Sequence, residues 1–139
     1  MLKNTTSNSK SETLNPKQAP NTQISNSKHY DLEDRTFGFA RDVLYYVNAL
    51  IGKPSNLEIG KQLARSSGSV GANYIEANES LSRKDFLMRI KISKKEAKES
   101  RYWLLLTDPK QEYLAEKARL VQESLELMKI FGAILEKSR

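Results

Sequence analysis

The chain of 139 residues has no cysteine and one histidine, His29, and these two shortages remove most catalytic schemes before any pattern is read. Without thiols there are no disulfide staples, no thiolate nucleophile and no cysteine-lined metal cage. With its only imidazole at residue 29, the chain can assemble neither a Ser-His pair nor the two Glu-x-x-His motifs of a di-iron bundle. It also lacks a Gly-rich phosphate loop, a Walker-type lysine and a nucleophile elbow, so no enzyme is expected and no catalytic, cofactor or metal residue is assigned. No apolar run approaches the roughly 18 residues of a membrane span, and none follows Lys3 as in a secretory leader. A soluble, cytoplasmic protein is the expectation.

Apolar side chains are nearly missing from residues 1–28, where only Met1, Leu2, Leu14, Ala19 and Ile24 stand amid Asn, Ser, Thr, Gln and Lys. Such a composition reads as a disordered tail over residues 1–29, with one folded domain over 30–139. The net charge of +6 divides evenly: four lysines against Glu12 in the tail, and 19 basic against 16 acidic residues beyond it. A surplus that small favours solubility as much as a polyanionic partner, so its distribution matters more than its size.

What is present is helical periodicity. Phe37, Ala40, Val43, Leu44, Val47, Leu50 and Ile51 recur at threes and fours and predict a helix over about 31–51, stopped by Gly52 and Pro54. Ser55 and Glu58 have the form of a capping box, predicting a second helix from near Asn56 to Asn78 or Glu79. Ser82 offers a cap for a third over about 83–106, burying Phe86, Ile90, Ser93, Ala97 and Leu104 with Leu87 and Leu105 beside them. Asp108 and Pro109 suit the start of a fourth, carried by Leu114, Ala118, Val121, Leu125, Met128 and Leu135 to near Lys137. No segment alternates with period two, and the connections are short. The expected fold is all-α, an antiparallel up-down-up-down four-helix bundle.

The second helix is made of residues that helices ordinarily avoid. Gly68 and Gly71 each cost about 1 kcal/mol against Ala, and Ser66, Ser67, Ser69 and Asn73 compete for backbone hydrogen bonds. At 100° per residue, Ile59, Leu63, Val70, Tyr74 and Ala77 share an apolar face, while Ala64, Gly68, Gly71 and Ile75 form a second, smoother strip suited to close helix packing or an oligomer interface. Asn73, Glu76 and Glu79 recur every three residues and are expected to pair with neighbouring cations, a structural role in preference to a carboxylate site.

The third helix segregates its charges. Lys84, Lys91, Lys94, Lys95 and Lys98 fall within about 100° of one another, with Asp85, Glu96 and Glu99 to one flank. Residues 83–101 hold eight basic and three acidic side chains, with Arg83, Arg89 and Arg101 extending the basic surface. The stripe makes RNA or DNA the leading partner, with Lys84, Lys91, Lys94, Lys95, Lys98 and Arg101 as the phosphate contacts. Tyr102 and Trp103 are expected to pack in the core in preference to stacking on bases.

The motifs R-S-x-x-S-V-G-A-N-Y-x-E-A at Arg65–Ala77, S-x-x-D-F at Ser82–Phe86 and K-E-A-x-E-x-x-Y-W-L at Lys95–Leu104 closely resemble the four-helix bundle proteins encoded by intervening sequences in bacterial 23S ribosomal RNA genes. The resemblance covers most of residues 35–136 and implies a ring-shaped homopentamer without enzymatic activity. A related protein, the accessory subunit of diversity-generating retroelements, engages reverse transcriptase and nucleic acid. The alternative reading is therefore a protein-interaction module that makes no direct contact with nucleic acid. Gly68, where the family pattern has a bulkier residue, and the long tail are the two departures.

Overall fold

The computed structural model describes the backbone of residues 23–139 and the side chains of residues 32–139. The chain divides into two compact units at Leu32 and Glu33. The first is described only from Gln23 onward, as the opening of a helix, so most of the expected tail lies outside the described residues. Helix α1 spans Gln23–Asn48, α2 Pro54–Asn78, α3 Arg83–Leu106 and α4 Leu114–Lys137, with a short 3-10 turn at Gln111–Tyr113. No strand occurs among the described residues.

Sequential helices run antiparallel and side by side. Thr36 and Val47 of α1 face Gly71 and Gly60 of α2, so numbering rises along one helix as it falls along the other. Ser93 Oγ donates to the Val70 carbonyl at 2.8 Å, and Ser66 and Ser100 meet at 2.9 Å, which sets α3 antiparallel to α2. Lys94 of α3 lies against Gly132, and Lys117 of α4 donates to the Leu105 and Thr107 carbonyls at 3.2 and 2.8 Å. The square closes between α4 and α1, where Arg35 grips Glu123 through two hydrogen bonds of 2.6 and 2.8 Å and Arg119 donates to Asp42 at 2.9 Å. Inside it Phe39, Val43, Leu63, Val70, Ile90, Leu104, Leu127 and Phe131 are buried.

Short side chains set how closely the helices approach. A Cβ placed on Gly71 would lie 2.9 Å from Thr36 Oγ1 and 3.1 Å from its Cβ, so α1 packs against bare backbone there. Ser66, Ser93 and Ser100 are fully buried between α2 and α3. Ser100 gives its proton to the Glu96 carbonyl, so Ser66 donates across the seam. Each buried hydroxyl is thereby satisfied.

At the other end of α2, Asn56 is buried, its Nδ2 donating to the Asp108 carbonyl at 2.9 Å and its Oδ1 accepting from the Asp108 N–H at 3.0 Å. Tyr46 donates to Thr107 Oγ1 at 2.7 Å, since the Thr107 proton is held by the Leu104 carbonyl. Together these bonds tie the α3–α4 connection to α1 and α2. Gly52, at φ +93°, makes the turn between those helices and sits where an L side chain is strained.

Three sequence expectations are corrected. The Ser55–Glu58 box does not cap α2; the helix starts at Pro54, with Lys53 at the cap position and no side-chain cap bond, because proline fixes the first helical φ and needs no donor partner. Asp108 does not start α4. It is drawn into the bond with Asn56 and an ion pair with Lys53, and α4 begins only after the 3-10 turn. Helices α1 and α4 are rotated relative to the expected faces: Phe37, Leu44, Ile51 and Leu114 are exposed, while Phe39, Tyr46, Leu120, Leu127 and Phe131 are buried. Leu105, placed beside the core of α3, is also 48% exposed. Where an apolar arc is wider than one packing face, the period alone does not choose its centre. The Ser82 cap is as expected, accepting from the Asp85 N–H at 3.1 Å.

The two central glycines should respond oppositely to one methyl group. Gly71→Ala is expected to destabilise by about 1–3 kcal/mol through the forced contact with Thr36. Gly68→Ala, with open space around it, is expected to stabilise by up to about 1 kcal/mol through helix propensity. Urea denaturation midpoints at constant slope would measure both.

Candidate nucleic-acid interface

The charged residues of α3 are sorted by the way that helix is rotated against α2. Ser93, Glu96 and Ser100 turn inward or toward α2 and are buried, which leaves the lysines on the outer side. Glu96 and Glu99 are then the nearest acids to the stripe. Both are engaged by Arg65 of α2: its Nη2 lies 3.4 Å from Glu96 Oε1 and hydrogen-bonds Glu99 Oε2. Glu99 also accepts from Trp103 Nε1 at 2.9 Å, and the indole bond together with the guanidinium holds its carboxyl below the ordinary carboxylate range. Both glutamates are thus paired from α2, and Glu99 also feels the charge of Lys95.

Lys84, Lys91, Lys94, Lys95 and Lys98 are all exposed, and among the described residues none forms an ion pair. From Lys84 to Lys98 they run about 21 Å along the axis at 1.5 Å per residue. Lys94 reaches across to α4, where a Cβ on Gly132 would meet its Nζ at 3.5 Å. Lys129, one turn earlier on α4, is exposed as well and adds a cation that the sequence reading did not include. Arg101 is half-buried, and its Nε is enclosed without a hydrogen-bond partner. Such an unpaired donor at the edge of a cationic surface is costly in isolation.

Not every residue expected at the surface is there. Arg89 is turned to α2 and donates to Asn73 Oδ1 at 2.8 Å, so it does not extend the stripe. Of the carboxylates expected to pair structurally, Glu76 and Glu79 are exposed and form no side-chain bond among the described residues; Asn73 alone is held, by Arg89 and by its own donation to the Ser69 carbonyl. Tyr102 is not in the core but 59% exposed, while Trp103 is half-buried. The strip on α2 also divides. Gly71 faces inward to Thr36, Ala64 is half-buried, and Gly68 and Ile75 lie outside, because the 60° between Gly68 and Gly71 straddles the line of contact with α1.

The outer strip continues onto α1. The register that sets Val47 against Gly60 and Thr36 against Gly71 brings Leu44 level with Ala64, and Ile51 follows in the connection between the two helices. Phe37, Leu44, Ile51, Leu57 and Ile75 are 46–68% exposed, so the α1–α2 side is apolar where the α3 side is cationic. Among the described residues no group of His, Cys, Asp and Glu could hold a metal ion, and no helix is long and apolar enough to cross a membrane.

A model of the family described as the 23S rRNA-intervening sequence protein matches residues 28–133. Among solved structures, a protein of unknown function from the S23 ribosomal protein family of Bacteroides thetaiotaomicron VPI-5482 is 30% identical, covering 74% of this chain and 96% of its own, with a TM-score of 0.65. No curated protein matches the chain.

Glu99 gives the site a measurable acid limb. Its folded pKa is lowered, so its contribution to stability is present in full above the unfolded carboxylate value, about 4.3, and is lost as pH falls through the lower folded value. Glu99→Gln is therefore expected to flatten the loss of stability in that window, as followed by urea denaturation at a series of pH values.

Proposed function

The chain belongs to the 23S rRNA-intervening sequence protein family, and we propose that it is a non-catalytic, oligomeric bundle that binds RNA or DNA through the lysine face of α3. The observation that carries this reading is that no lysine of the stripe forms an ion pair among the described residues. Five exposed lysines occupy one helix face while Arg65 takes both neighbouring glutamates. Like charges at i,i+4, as in Lys91 with Lys95 and Lys94 with Lys98, repel one another by a few tenths of a kcal/mol, and phosphates would relieve that repulsion along the whole stripe.

The apolar side of α1 and α2 supports the oligomeric part of the proposal, as a surface buried between copies of the chain. Its five large side chains form a contiguous patch on the face away from α3, of the kind that marks an interaction site. A homopentamer is the assembly that the family resemblance implies. The alternative, an accessory module docking on a partner protein with no contact to nucleic acid, rests on the same apolar patch and differs in leaving the lysines idle.

Two measurements separate these readings. Lys94→Gln with Lys98→Gln is expected to weaken polynucleotide binding and to lower the slope of log affinity against log salt by about 1.5–2; an unchanged slope would reject the phosphate contacts. Leu44→Glu with Ile75→Glu is expected to reduce the light-scattering mass to that of a monomer while the fold persists, since both residues are exposed. A wild-type monomer, or a variant of undiminished mass, would reject the interface.

A further inference from the structure

The lysine face ends in an aromatic ring, and this asks for more than a phosphate backbone. Tyr102 lies one helical turn beyond Lys98 and is 59% exposed. Its ring centroid is 5.0 Å from that of Trp103, with the planes at 72°. An edge-to-face contact of this kind occupies at most one face of the tyrosine ring. Trp103 is itself fixed, its Nε1 bonded to Glu99, which Arg65 holds from the neighbouring helix. Tyr102 is thus braced from behind and open in front.

We propose that this surface takes single-stranded polynucleotide, RNA or DNA, with an unpaired base stacked on Tyr102 and the adjoining phosphates on Lys95 and Lys98. The proposal rests on the polynucleotide reading of the lysine face and narrows its substrate. Three features favour a single strand. The aromatic ring adjoins the cations directly, Lys98 lying about 6 Å and Lys95 about 10 Å back along the axis, so a backbone following the lysines carries its bases past the ring. A base within a duplex keeps its faces against its neighbours and offers none to a surface ring, whereas an unpaired base does. The ring is also pre-positioned by the Arg65–Glu99–Trp103 chain, so little side-chain freedom is lost on stacking. Stacking of this kind tolerates any base, and the ammonium groups of Lys95 and Lys98 beside the ring act as point charges that read no base edge.

Trp103 is the chain's only tryptophan and touches Tyr102, so its fluorescence reports on the site. The full-length protein would be titrated with oligouridine, oligothymidine and a blunt-ended, loop-free duplex of equal phosphate count, alongside Tyr102→Leu, Tyr102→Phe and Lys94→Gln with Lys98→Gln. Tyr102→Leu is expected to lose roughly five- to hundred-fold in affinity for both single strands, with its salt slope and duplex affinity unchanged, and Tyr102→Phe to bind as the wild type does. Binding of the single strands should change the Trp103 emission in the wild type. Single-strand affinity unaltered in Tyr102→Leu, or an equal loss on the duplex, overturns the stacking proposal; if the lysine variant still weakens binding, the polynucleotide reading survives alone. Failure of the wild type to bind any of the three probes overturns both.

Discussion

The rest of the structure depends on the narrowness of α2. A helix flanked on one side by α1 and on the other by α3 must be thin along both contact lines. The sequence meets that need with Gly60 and Gly71 against α1, with Ser66 against Ser100 of α3, and with Ser93 of α3 against the Val70 carbonyl. Once backbones approach this closely the rotation of α2 is fixed, since turning it would drive larger side chains into the gap. That rotation places Arg65 over α3 within reach of Glu96 and Glu99, and so determines which charges of α3 are matched and which are not. The unfavourable helix propensity of Gly and Ser in α2 is offset by packing, and the charge of the opposite surface follows from it.

Two unlike surfaces result on one small bundle. The α3 side carries cations with no internal partners, and the α1–α2 side carries large apolar groups at 46–68% exposure. They share no residue, so a change on one leaves the other standing. The ion pairs that close the square, Arg35 with Glu123 and Arg119 with Asp42 and Glu116, lie on the α1–α4 side, apart from both. Among the described residues, the charges between α1 and α4 are paired across helices, whereas the lysines of α3 form no ion pair.

The four helices and their order were legible because each carries several turns of apolar periodicity and is bounded by Gly, Pro or Ser. The core of α2, Leu63, Val70, Tyr74 and Ala77, was legible for the same reason, its other faces being plainly polar or bare. Helices α1 and α4 were harder. In α4 both the line of Val121, Leu125 and Met128 and the line of Leu120, Leu127 and Phe131 are apolar, and only packing against α1 and α3 selects the second as the centre. The lysine stripe could be seen in the spacing, whereas its lack of counter-ions could not, because that rests on Arg65 from another helix. Tyr102 was misplaced for a simpler reason: Leu104 takes the interior, and a residue two positions away lies about 200° round the helix from it.

The joint between Asn56 and Asp108 spans 52 positions of sequence, yet it is made by one amide group using both its donor and its acceptor. Closing so long a segment carries a substantial entropic cost, so the joint contributes only after α2 and α3 have already found each other. It therefore depends on the register of α2 against α3, and it holds the connection that leads into α4. An amide at this position acts less as an adhesive than as a check on the finished arrangement. A misregistered α2 would leave the Asp108 backbone unsatisfied, and the error would be registered at the far end of the chain from where it arose.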